Sequence, residues 1–173
     1  MKFKTPLAVS TVLIVAMGAG SLWAAPRLSG KRLPTHWGPA GPDQFASAGH
    51  ALVFAPLLAL GMCVLFAGLP LVMPKNGGLE RSARAYSTVW IGVIALFAVM
   101  HAAAIAAGFG ANFDEGRVAF LAVGLFIVVL GNLLGKVRFN YVFGVRTPWT
   151  LSSERVWDRT HRCLLYTSDA ADE

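Results

Sequence analysis

The 173 residues are 55% hydrophobic and only 14% charged, with a mean hydropathy of +0.58. That balance excludes most soluble folds and intrinsic disorder, while 18 unperiodic glycines and only two cysteines exclude collagen-like and disulfide-stapled chains. A helical membrane protein is the class that remains.

Four stretches almost free of charge, at about 6–25, 50–73, 85–109 and 118–135, make up half the chain. Each has close to the roughly 20 residues that a helix needs to cross a hydrocarbon core of about 30 Å. In that solvent every backbone group must be satisfied within the segment, and the alternating polarity of a barrel strand is absent, so the fold class is all-α: a polytopic bundle with four transmembrane helices. The first stretch has the Lys2 and Lys4 preface and the Ala24-Ala25 close of a signal peptide. Its apolar run is too long for one, and bulky Trp23 stands where cleavage wants a small residue, so it reads as a retained span.

Lysines and arginines orient the spans. With the amino terminus inside, Lys2, Lys4, Lys75, Arg81, Arg84, Lys136, Arg138, Arg146, Arg155, Arg159 and Arg162 are cytoplasmic, against only Arg27, Lys31, Arg32 and Arg117 outside. The net charge of +6 is then explained by topology and by anionic lipid headgroups, and no direct nucleic-acid contact is needed.

The connection between the first two spans, residues 26–49, holds Pro34, His36, Trp37, Pro39, Pro42, Asp43 and Phe45. Prolines restrict the backbone, so this outer loop is expected to be a shaped surface element with Trp37 and Phe45 at headgroup depth. It is either an interfacial anchor or a recognition surface. His36, Asp43 and His50 lack the number and spacing of ligands that a metal site requires, and no metal is expected. Pro74 to Gly78 and Gly110 to Gly116 read as plain turn-rich connectors.

No Asp, Glu, Lys or Arg lies inside a span, so the usual mark of an ion or proton path is missing. His101, near the outer end of the third span, reads as an interfacial or helix-contact histidine, and Cys63 as a small packing residue. Gly131 and Gly135 flank Asn132 in a pattern that favours close helix approach and an interhelical hydrogen bond. Small residues from Ala102 to Gly108 suggest packing as well. Nucleophile, zinc-protease, phosphate-loop and CxxC motifs are all absent, so neither catalysis nor a cofactor is assigned.

The stretch from Asn132 to Arg162 is the densest in pattern. It leaves the membrane on the cytoplasmic side and bends at Gly144 and Pro148. Ser152 is expected to cap a short helix that has Glu154 in its first turn and Arg159 and Arg162 toward its end. Val156, Trp157, Thr160 and His161 share one face of that helix and Arg155, Arg159 and Arg162 another, as in an interfacial helix with Trp157 toward lipid and its arginines toward phosphates.

Asn140, the run Gly144-Val145-Arg146-Thr147-Pro148-Trp149-Thr150-Leu151, then Val156-Trp157 and Thr160-His161-Arg162 closely resemble the signature of the SdpI immunity family of bacterial multi-span proteins. Leu33-Pro34-Thr35-His36-Trp37, Gly41-Pro42-Asp43 and Phe54-Ala55-Pro56 look like the region of unknown function that accompanies that signature. The resemblance covers roughly residues 6–162. It implies a multi-pass protein of the bacterial plasma membrane that protects the cell from a toxic peptide on the outer side and, in some members, holds a transcriptional repressor at the cytoplasmic face. It also implies ligand- or partner-binding roles for His36, Trp37, Asp43, Asn140, Gly144, Arg146, Thr147, Pro148, Trp149, Trp157 and His161.

The expected organisation is an N-terminal two-span half over residues 1–75, an SdpI-like half over 85–162, and a tail over 163–173. Relatives continue beyond the Thr-His-Arg block into further spans, whereas this tail turns acidic and is expected to be non-native. A small transporter component or a structural membrane protein is the alternative role. Transport favours broken helices at mid-membrane depth, which only Pro56 and Pro70 suggest.

Overall fold

Uninterrupted apolar runs have no way to satisfy their backbones in lipid except as helices, and the computed structural model has one helix for each run. It describes residues 3–38, 41–72, 82–134, 137–141 and 144–169, so the Pro74–Gly78 connector lies outside the described residues. The elements in chain order are α1 (Lys4–Ala24), β1 (Arg32–Gly38), β2 (Gly41–Ser47), α2 (Ala48–Val72), α3 (Ala83–Gly108), α4 (Glu115–Leu134), α5 (Pro148–Ser152) and α6 (Glu154–Asp169). Helices α1 to α4 are long and apolar enough to cross a membrane, and the fold is that of a polytopic helical membrane protein.

Three of these helices share a core. Phe3 and Tyr86 meet edge to face at 5.2 Å, which sets the start of α1 beside the start of α3, and the end of α2 joins them through Phe66 against Tyr86 at 5.7 Å. Met17, Ala59, Cys63, Phe66, Trp90 and Ile94 fill the space between, so Cys63 is a packing residue as its isolation suggested. Helix α4 stands outside this trio and packs on α3, where Gly92 lets it come close. A Cβ on Gly92 would lie 2.6 Å from the Phe126 ring.

Pro56 and Pro70 lie inside α2 without ending it. A proline has no N–H, so each strips the carbonyl four residues earlier of its helical donor: Leu52 for Pro56 and Phe66 for Pro70. Neighbouring helices replace both donors. The Ser21 hydroxyl of α1 reaches the Leu52 carbonyl at 2.6 Å, and the Tyr86 hydroxyl of α3 reaches the Phe66 carbonyl at 2.6 Å. The prolines therefore mark joints between helices, and the broken helices that a transport role favours are not formed at them.

The loop expected between the first two spans is an antiparallel β-hairpin. Its register runs from Arg32 opposite Ser47 to Gly38 opposite Gly41, with irregularities between Pro34 and His36 and between His36 and Trp37. Pro34 and Pro42 supply no ladder donors, so hydrogen bonding alone would hold this pair weakly. Packing compensates. Leu33 and Leu28, each 1% exposed, insert with Ala48 and Leu52 at the hairpin's foot, and Gly108 at the end of α3 leaves them room. A Cβ there would lie 2.7 Å from Leu28 and 2.9 Å from Leu33. Lys31 then donates to the Gly108 carbonyl at 2.7 Å, placing its charge at the negative end of α3.

Gly131, the described member of the glycine pair in the fourth span, makes no close helix approach. Gly131 has no atom within 4 Å of the position of a Cβ, and Asn132 donates to Val128 of its own helix at 3.0 Å. Gly135 lies outside the described residues. Close approach to α3 is made through Gly92 on the other helix instead.

Candidate functional site

The family-like residues fall at the two ends of the bundle. At the end where α4 emerges, the chain folds back under α3 and α4. Ser82, just before α3, accepts from the Arg138 N–H at 3.0 Å and donates to the Arg138 carbonyl at 3.2 Å, which ties the segment after α4 to the start of α3. Asn140, fully buried, donates to the same carbonyl at 2.8 Å.

Helix α5 starts where Thr147 and Thr150 exchange bonds. Thr150 N–H donates to the Thr147 hydroxyl at 3.3 Å and Thr147 N–H to the Thr150 hydroxyl at 2.8 Å, with Pro148 in the first turn, where a missing N–H costs nothing. Ser152 does not cap the next helix as expected. It ends α5 by donating to the Trp149 carbonyl at 2.9 Å, and α6 begins after Ser153, whose carbonyl accepts from Trp157 at 3.0 Å.

Trp157 and His161 correct the interfacial reading of α6. They are 0% and 1% exposed, stacked on each other at 4.2 Å and turned into the protein against Val137 and Phe139. The Trp157 indole donates to the Val137 carbonyl at 3.0 Å. His161 Nε2 accepts from the Val145 N–H at 3.0 Å, so its proton sits on Nδ1, which faces the Trp157 carbonyl at 2.9 Å. Gly144, at φ +116°, closes over this stack; a Cβ would lie 2.6 Å from His161 Nε2 and 2.9 Å from Trp157.

Asn140, Gly144, Thr147, Trp157 and His161 thus shape one knot with Pro148 exposed at its edge, and Arg146 and Trp149 face outward. Arg146 is exposed and donates to the Tyr141 carbonyl at 2.7 Å, and Trp149 is 63% exposed. The arginines of α6 point away from the knot, on the face that periodicity gave them, and Arg155, Arg159 and Arg162 are all exposed.

At the opposite end, His36 Nδ1 and Asp43 Oδ1 meet across the hairpin at 2.6 Å, both exposed, and His50 Nδ1 lies 2.8 Å from the Ser47 hydroxyl. The Trp37 side chain lies outside the described positions. Among the described residues no group of three His, Cys, Asp or Glu converges as a metal site. A cleft of about 550 Å³ runs between the hairpin face and α2, with His36, Gln44 and His50 at its rim and Val53, Phe54 and Leu57 along its wall.

Ser21, Ser82 and Tyr86 were not singled out from sequence. The prolines foretell which carbonyls need donors, but the donor is chosen by helix packing, which one chain of letters does not contain.

Residues 136–168 match the model of the SdpI/YfhL protein family. Over that segment the chain is similar to the SdpI family. Over 133 residues it is 26% identical to the immunity protein SdpI of Bacillus subtilis (strain 168), a match covering 76% of this chain and 61% of that relative. The chain therefore spans about three fifths of the curated relative that it matches. No solved structure matches. The family match falls on the knot just described, so the SdpI pattern encodes a fold at this end of the bundle before it encodes any contact.

Proposed function

We propose that the chain is part of an SdpI-like immunity protein of the bacterial plasma membrane, which meets a toxic peptide at the hairpin end and, at the knot end, engages a cytoplasmic partner such as a transcriptional repressor. The observation that carries this reading is the 26% identity over 133 residues with an immunity protein. The excess of lysine and arginine at the knot end supports placing that end, with the amino terminus, in the cytoplasm. His36, Trp37 and Asp43 are then the candidates for peptide contact. Arg146 and Trp149 are those for the partner, since a guanidinium fork and an exposed indole suit carboxylates, phosphates and apolar pockets.

The test is protection. The complete parent protein, produced in a sensitive host, raises tolerance to a membrane-active peptide made by a related bacterium. Trp37→Ala lowers protection at unchanged membrane level, and Arg146→Ala impairs partner recruitment while leaving insertion intact. If both variants protect and recruit as the parent does, neither surface is functional and the reading falls.

A further inference from the structure

The cleft under the hairpin deepens into a smaller pocket of about 220 Å³ between Pro34 and Thr35 of β1, Ala51 and Phe54 of α2, and Phe97 and His101 of α3. Apart from the Met100 thioether, only Thr35 and His101 among its lining residues carry polar side-chain atoms. The Thr35 hydroxyl proton is directed to the Gln44 carbonyl at 3.4 Å. His101 is only 4% exposed. Its Nε2 lies 3.2 Å from the Met17 carbonyl and 3.1 Å from the Ser21 hydroxyl. A carbonyl only accepts, so Nε2 carries the proton, and in the neutral ring Nδ1 presents a lone pair. Nδ1 has no hydrogen-bond partner among the described residues.

This combination is selective. An apolar wall rejects a charged group, and a small hydroxyl would leave most of the space unfilled. A purely hydrocarbon group would fill the pocket and cover the Nδ1 acceptor without giving it a donor, which costs binding. An engineered apolar cavity of about 150 Å³ holds benzene, so this pocket has room for an aromatic ring. What fits both shape and chemistry is an aromatic ring with one N–H or O–H at its edge. The pocket also lies at the hairpin end of α1 to α3, a turn or two inside the helix ends, and that is the depth at which tryptophan and tyrosine gather in membranes.

We propose that this pocket, with His101 Nδ1 as its acceptor, binds the indole or phenol side chain of a peptide arriving at the hairpin face. The inference rests on the proposed function for the source of the ring, and the binding itself does not depend on it. A ring bound there donates to the same imidazole whose other nitrogen touches α1. Through Ser21 and the Leu52 carbonyl, that node also joins α2, so occupancy is felt by three helices at once.

The experiment uses the full chain labelled with 15N-histidine in phosphatidylglycerol nanodiscs, with empty nanodiscs as the partition control. The probes are indole and its carbon isostere indene. Indole shifts the Nδ1 resonance of His101 and binds roughly fivefold more tightly than indene, the worth of one buried hydrogen bond. His101→Phe abolishes the preference. Ala51→Phe, which fills the pocket from α2 and leaves the Ser21–His101 contact in place, weakens both probes, so the proposal stays testable if the histidine variant does not fold. Equal binding of indole and indene, or a preference that survives Ala51→Phe, overturns it. An indole preference without protection of the host keeps the pocket and discards the immunity reading; protection without the preference does the reverse.

Discussion

At the scale of single residues, the strongest constraints sit where a missing atom is made good by another helix. Tyr86 supplies the donor that Pro70 withholds from Phe66, so Tyr86→Phe is expected to destabilise the bundle by about 1 to 2 kcal/mol, read as reduced resistance to detergent unfolding. In a Pro70→Ala background the helix supplies its own N–H, and the same substitution costs measurably less. A cost that is the same in both backgrounds would refute the pairing. Gly144 is constrained for a different reason, since its φ of +116° disfavours any side chain and a Cβ would strike the Trp157–His161 stack. Gly144→Ala should lower folded yield by loosening the knot, with tryptophan fluorescence reporting exposure of Trp157. Arg146→Ala, two positions along, should leave that fluorescence unchanged.

At the scale of elements, the four spans were legible because hydropathy and length alone define them; the ends shift by only a few residues, as Glu115 extends α4 into its first turn. The hairpin was not legible as strands. Its prolines break the alternation that announces a β-pair, and its stability comes from Leu33 lying in the gap between Leu28 and Gly108, a contact 75 positions long in sequence between Leu33 and Gly108. Helix α6 was legible in its two faces but not in what each face meets. Periodicity places Trp157 and His161 together, and only the return of the chain beneath α3 decides that protein covers them. Of the candidate site, the motif residues were found by pattern, and their division into knot formers and outward residues came from geometry. The hairpin's dependence on packing gives a clear expectation: Leu33→Ala removes a buried side chain worth about 2 to 5 kcal/mol. It should make residues 32–47 sensitive to protease while α2 and α3 remain protected.

At the scale of the whole molecule, two differently built ends are joined by one three-helix core. The hairpin end has few positive residues and an open cleft; the knot end is basic. Alkaline phosphatase fused after Gly41 should be active and after Trp149 inactive. The opposite pattern would invert the orientation and remove the basis for assigning peptide and partner to their ends.

The proline joints also bear on how the protein is made. During synthesis α1 enters the bilayer before α2, so Ser21 is already present when the Leu52 carbonyl arrives without its helical donor. The Phe66 carbonyl has no such luck in timing, because Tyr86 belongs to a helix not yet translated. A ribosome-bound chain that ends after α2 therefore holds one half of that helix complete and the other half in need of a donor. Nascent α2 should stay beside the insertion machinery until α3 emerges, and Pro70→Ala should let it leave sooner.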